Sequence, residues 1–159
     1  RMTSAELERL VGPGGLKHEA PSQTEFESLV RSGKARLADA GNEDLSLESR
    51  FDLAYNAAHA LALAALRRLG YRSSNRYLVF QALAYTADQP ASVWRVLSKC
   101  HEKRNLAEYE GLVDISTRLL DDLLLAARTV CASVSVLPPP ASHLIEYQQD
   151  QNKESKQDG

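Results

Sequence analysis

SLESRFDLAYNAAHALALAALRRLG, residues 46–70, is the stretch on which the fold turns. Phe51, Ala54, Tyr55, Ala58, Leu61, Ala62, Ala65, Leu66 and Leu69 recur at steps of three and four, the period of one face of an α-helix. Ser46 is placed to cap the first free N–H groups, and Gly70 to end the run. The many alanines let neighbouring backbones approach closely, so the spacing predicts the central helix of a helical bundle.

Upstream, Ser22 with Glu25 three residues on reads as a capping box, and Phe26, Leu29, Val30, Gly33 and Leu37 follow at helical spacing as far as Gly41. Ser4 to Val11 suits a short helix, but Gly12-Pro13-Gly14-Gly15 stops it, so residues 1–20 read as a leader outside the core. Arg1, ahead of Met2, reads as an addition and is left out of the fold argument. Downstream, the polar loop Tyr71 to Arg76 leads to a short helix from Arg76 to Thr86. Asp88-Gln89-Pro90 breaks the chain, and Pro90 suits the first turn of a helix carrying Val93, Trp94, Val96, Leu97 and Cys100. Leu112 to Val136 is the longest periodic run, expected to pack lengthwise against the first two long helices, and Leu137-Pro138-Pro139-Pro140 ends it. Residues 137–159 are too polar to bury themselves and are expected to form a flexible tail. With no internal repeat and no alternating pattern, residues 21–136 predict an all-α, antiparallel bundle of four to five helices.

A length of 159 residues suits one domain. Nineteen basic against 21 acidic residues nearly cancel, so no global field selects a nucleic acid or a membrane, and a partner must be recognised by a local site. Cys100 and Cys131 match neither a disulfide framework nor a zinc spacing and read as small buried hydrophobes. No cofactor or metal is expected. No stretch approaches the roughly 18 apolar residues of a membrane helix and no signal sequence opens the chain, which makes the expected location cytoplasmic.

The chemically unusual feature is Lys103-Arg104-Asn105-Leu106-Ala107-Glu108-Tyr109, between the last two long helical runs. On a continuous helix His101 and Arg104 share a face, as do Asn105 and Glu108, with Tyr109 one turn beyond Asn105. Arg104 offers a planar fork of donors suited to phosphate, Lys103 adds charge, and Asn105 can bond backbone or base edges. The same residue types are also common as solvated structure at a helix end. His59 lies beside the alanine stripe, where a packed histidine is the ordinary reading. His18 and His143 fall in segments expected to be flexible.

Leu53-Ala54-Tyr55-Asn56-Ala57-Ala58-His59-Ala60-Leu61, the polar loop after Gly70, and Arg104-Asn105-x-x-x-Tyr109 ahead of the final long run together resemble the HEPN family. The resemblance spans about Ser22 to Val136. It implies a small helical bundle and, in many members, a metal-independent endoribonuclease of a toxin-antitoxin pair whose site is shared across a homodimer. Arg104 matches the family's catalytic arginine and Asn105 the polar residue beside it. Tyr109 stands where the family's histidine is expected, and a tyrosine of ordinary pKa, about 10, is a poor base near neutrality. His101, one turn before Arg104, is the candidate replacement. The resemblance also implies a nucleotidyltransferase antitoxin as partner, since some members are silenced by adenylylation of a tyrosine near the motif. In those members the tyrosine follows the histidine by two, whereas here Glu110-Gly111 follow Tyr109, which otherwise suits a packed or interface aromatic. Two classes therefore follow: an endoribonuclease using Arg104, Asn105, Tyr109 and His101, or a catalytically silent module for dimerisation and protein-partner binding.

Overall fold

A computed structural model of the chain describes residues 3–111 and 114–140, together with 153 and 156. In chain order the elements are α1 (Thr3–Arg9), β1 (Lys17–His18), α2 (Gln23–Ala40), α3 (Leu47–Arg67), β2 (Tyr71–Arg72), α4 (Arg76–Gln81), α5 (Leu83–Thr86), α6 (Ala91–Glu110) and α7 (Thr117–Ser135). The fold is an all-α helical bundle, to which the two-residue strands β1 and β2 add a small antiparallel ribbon. Among the described residues, no helix is long and apolar enough to cross a membrane.

The alanine-rich stripe sits at the centre as its composition predicts. Twelve of the 21 residues of α3 are buried, and it touches α2, α4, α5, α6 and α7. Its closest neighbour is α2: a Cβ on Gly33 would come within 2.6 Å of Leu61 Cγ, so the approach of these two helices depends on a residue without a side chain. Ser46 accepts from Ser49 N at 3.1 Å and Ser22 from Glu25 N at 3.2 Å, so both predicted caps are in place. The Glu25 side chain, however, does not turn back to its own helix. It reaches Arg67 and Arg72 instead.

That diversion ties down the N-terminal segment. Arg67, 2 % exposed, donates to Glu25 Oε1 at 2.5 Å, to the carbonyls of Glu19 and Ala20 at 2.9 and 2.5 Å, and to the Tyr71 carbonyl at 3.3 Å. Glu8 on α1 accepts from the Tyr71 hydroxyl at 2.5 Å and lies 2.6 Å from His18 Nε2. Leu7 and Leu16 are fully buried. The stretch expected to lead into the bundle from outside the core thus supplies two core side chains, and His18 is held in a ribbon rather than a loose end. The reason is tertiary: a short helix stopped by Gly12-Pro13 looks dispensable until Leu7 and Leu16 meet the remainder of the core.

Two other boundaries differ from the sequence expectations. The short helix after the loop is divided at Ala82 into α4 and α5. The last long helix starts at Thr117, capped by Ser116, which accepts from Leu119 N at 3.1 Å, while Asp114 to Ser116 are non-helical and 112 and 113 lie outside the described residues. The α7 helix packs on α2, α3 and α6. After it, Arg68 Nε donates to the Pro138 carbonyl at 2.9 Å and Pro140 is buried, so residues 137–140 return to the bundle. The remainder of the expected tail, His143 included and 153 and 156 apart, lies outside the described residues.

Candidate functional site

The polar segment is not a junction but the last turns of α6. Lys, Arg, Leu, Ala and Glu favour helix, and nothing breaks the run until Gly111, whose φ of 69° and N–H bond to the Ala107 carbonyl close it. Continuity gives α6 a polar stripe, His101, Arg104, Asn105 and Glu108, at one and two turns. The central helix carries a matching stripe, Asp52, Tyr55, Asn56 and His59, at the same spacing. The α4 helix adds Arg76 and, one turn on, Phe80.

These three stripes converge on Tyr55. Its ring is 1 % exposed, packed against Phe51 and edge-on to Phe80, with centroids 6.4 and 5.8 Å away. Its hydroxyl lies 2.7 Å from His101 Nδ1, and the two rings are within 6° of parallel. His101 Nε2 lies 3.3 Å from the Asn105 amide nitrogen. The proton on His101 can sit on either ring nitrogen, with the Asn105 amide and the Tyr55 hydroxyl turned to match, so a hydrogen-bonded chain runs Tyr55–His101–Asn105 in both tautomers.

Two guanidiniums face the same ring. Arg104 Cζ is 4.8 Å and Arg76 Cζ 5.4 Å from the Tyr55 centroid. Arg104 Nε is 3.5 Å from the exposed carboxylate of Asp52, and Arg76 donates to the Asn56 amide oxygen at 3.3 Å. The field of this pair reaches both histidines. Burial first, then Arg76, His101 and Arg104, push His59 down to about 4. Burial with Arg76 and Arg104 also lowers His101, against the opposing pull of Glu102 and Glu108. Both imidazoles are therefore neutral near pH 7, and His101 is able to accept a proton.

Of the residues singled out in the sequence, the structure brings together His101, Arg104 and Asn105. His59 faces the same cluster while packing edge-on to Phe80, 6.0 Å between centroids. Lys103 lines a groove of about 370 Å³ toward α7 with Lys99, Glu102, Leu106 and Asp114, and shares a smaller one of about 100 Å³ with Arg104, Asp52 and Phe51. Tyr109 is 93 % exposed and lies outside the Tyr55 cluster and the packed core of the described residues. Cys100 is buried, and burial pushes its thiol up to about 12, whereas Cys131 is only half-buried.

Sequence reasoning missed Tyr55, which it placed only in the apolar stripe, and Arg76, which it placed at the end of a loop. The signal for Tyr55 was the stripe Asp52, Tyr55, Asn56 and His59, four hydrogen-bonding side chains on one face of an alanine-rich helix. Arg76 had no such signal, because only the packing of α4 against α3 and α6 directs it to Tyr55. Compared with family models, with curated proteins and with solved structures, the chain finds no match in any of the three.

Proposed function

We propose that the chain is a HEPN-like, RNA-associated domain whose Tyr55-centred cleft binds and cuts a phosphodiester without a metal. The observation that carries this reading is an imidazole, His101, one helical turn from a guanidinium, Arg104, both set against the same tyrosine. In the reaction this arrangement suits, His101 takes the proton of a ribose 2′-hydroxyl, the 2′-oxygen attacks the adjacent phosphorus, and the bond to the 5′-oxygen breaks. The leaving oxygen takes up a proton, giving a 2′,3′-cyclic phosphate and a 5′-hydroxyl. Arg104 neutralises charge on the phosphoryl oxygens as it develops. Tyr55 holds the ring through Nδ1, and Asn105, 3.3 Å from Nε2, turns aside to let that nitrogen meet the 2′-hydroxyl. On this reading His101 does the work of the family's histidine in place of Tyr109, which lies outside the Tyr55 cluster, and two copies of the chain pair as a homodimer beside a nucleotidyltransferase antitoxin.

The test is incubation of the purified chain with cellular RNA alongside Arg104→Ala and His101→Ala. Cleavage by the wild type, lost in both variants and unaffected by a chelator, is the expected result. Neither cleavage nor binding by the wild type would sink the reading.

A second reading is favoured by Leu106 and Tyr109, 55 % and 93 % exposed at the end of α6. They suit a catalytically silent module that docks a protein partner or a second copy. A wild type that never cuts RNA, yet is dimeric by light scattering and loses the dimer on Tyr109→Ser, would favour it.

A further inference from the structure

We infer that Arg76 on α4 and Arg104 on α6 grip one phosphate group between them beside the Tyr55 ring, making α4 the second side of the site and Arg76 a ligand-binding residue. The proposed RNA function supplies only the identity of the phosphate ester. The clamp itself stands on charge and geometry.

Two half-buried guanidiniums directed to one ring repel each other, and protein groups among the described residues compensate each only in part. The contrast within the same chain is Arg67, which is met by the Glu25 carboxylate at 2.5 Å and by three backbone carbonyls. Among the described residues Arg104 is paired with the Asp52 carboxylate at 3.5 Å, itself well exposed to water, and Arg76 with the neutral Asn56 amide. Each contact engages one nitrogen of a fork that carries five N–H donors. The remaining donors suit the oxygens of a tetrahedral anion, which binds guanidinium forks in paired hydrogen bonds. The Tyr55 ring, whose centroid lies 4.8 Å from one guanidinium carbon and 5.4 Å from the other, helps hold the forks in place without neutralising them.

The neighbours support the same conclusion. His59 and His101, from two different helices, both feel the positive field of this pair of arginines, which after burial lowers the pKa of each, so that field extends over the space beside them. The Asn56 and Asn105 amides belong to the same cluster, and with Asn56 Nδ2 donating to the Asp52 carbonyl at 2.9 Å and Asn105 Nδ2 set against His101, each keeps one N–H for an ester oxygen. Nothing in the HEPN resemblance assigns a role to Arg76; its placement follows from the packing of α4 against α3 and α6.

The experiment uses the full chain as wild type, Arg76→Gln, Arg104→Gln, the double variant, and Arg95→Gln as a control on the guanidinium that faces Trp94. The probes are a labelled single-stranded RNA oligomer, followed by anisotropy across a salt series, and inorganic phosphate, followed by the NMR shifts of the His59 and His101 rings. Arg76→Gln and Arg104→Gln are each expected to weaken RNA binding about tenfold and to reduce the slope of log K against log salt by about 0.7. Phosphate should move both histidine rings in the wild type and neither in the double variant. Arg76→Lys keeps the charge and loses the fork, so it should bind more weakly at an unchanged salt slope, and it keeps the clamp testable should Arg76→Gln fail to fold. RNA binding lost in Arg104→Gln but intact in both Arg76 variants would overturn the clamp and leave the RNA function standing. Phosphate bound through both arginines with no RNA binding would keep the clamp and remove the RNA function. Absence of binding by either probe would overturn both.

Discussion

Replacing Tyr55 with phenylalanine removes one oxygen and leaves the ring that Phe51, Phe80 and both guanidiniums contact. What is lost is the 2.7 Å hydrogen bond to His101 Nδ1. A net hydrogen bond contributes about 1 kcal/mol, and leaving a half-buried ring nitrogen unpaired adds up to about 1 kcal/mol more, so the expected cost is about 1–2 kcal/mol. With a urea dependence of about 2 kcal/mol per molar, the unfolding midpoint should fall by about 0.5–1 M. Tyr55→Leu also removes the platform for two cations and a well-packed aromatic, raising the cost to about 3 kcal/mol or more. The hydroxyl's own share is isolated by a cycle of Tyr55→Phe with His101→Leu, in which the two should couple by about 1 kcal/mol. Additivity within about 0.3 kcal/mol would refute the reasoning, since Tyr55 would then act through its ring alone and the hydrogen-bonded chain to Asn105 would carry no energy.

Stability should also depend on pH through His59. Its folded pKa of about 4 lies below the unfolded value of 6.5, so the unfolded chain binds the proton first, and stability complete above about pH 7 declines as pH falls from 6.5 toward 4. The groups facing it are Arg76, His101 and Arg104, and the decline in equilibrium unfolding, up to about 3 kcal/mol, should flatten in His59→Asn apart from the share of His101, whose pKa is lowered too. Gly33→Ala gains helix propensity yet forces a methyl against Leu61, and a net loss of about 1–3 kcal/mol is expected in chemical denaturation; a gain would mean that α2 and α3 have room to spare. A thiol reagent at neutral pH should label Cys131 in the native chain and Cys100 only after denaturation, since Cys100 is buried with its thiol pushed up to about 12; equal native rates would contradict that burial.

The helices were legible because their signals are local. The alanine stripe of α3, the serine caps at Ser22 and Ser46, and the proline ahead of α6 each act through neighbours three or four residues away, and the structure keeps them. The same locality explains why His101 and Arg104 could be placed on one face before any packing was known. Where those faces point is a different matter. Leu7 and Leu16 are core residues only because Glu8, His18 and Tyr71 fasten their segment across the bundle, a set of contacts between positions far apart in sequence.

The cluster around Tyr55 divides along the same line. By itself the chain determined an all-α bundle and one stripe carrying an imidazole and a guanidinium, because helical period needs no partner to be read. Only the crossing of α3, α4 and α6 decided that a tyrosine counted among the apolar residues would hold that imidazole, and that Arg76 would join Arg104 over its ring. Such convergence depends on how helices pack against one another, and packing angles are set by the summed shape of many small side chains rather than by any motif.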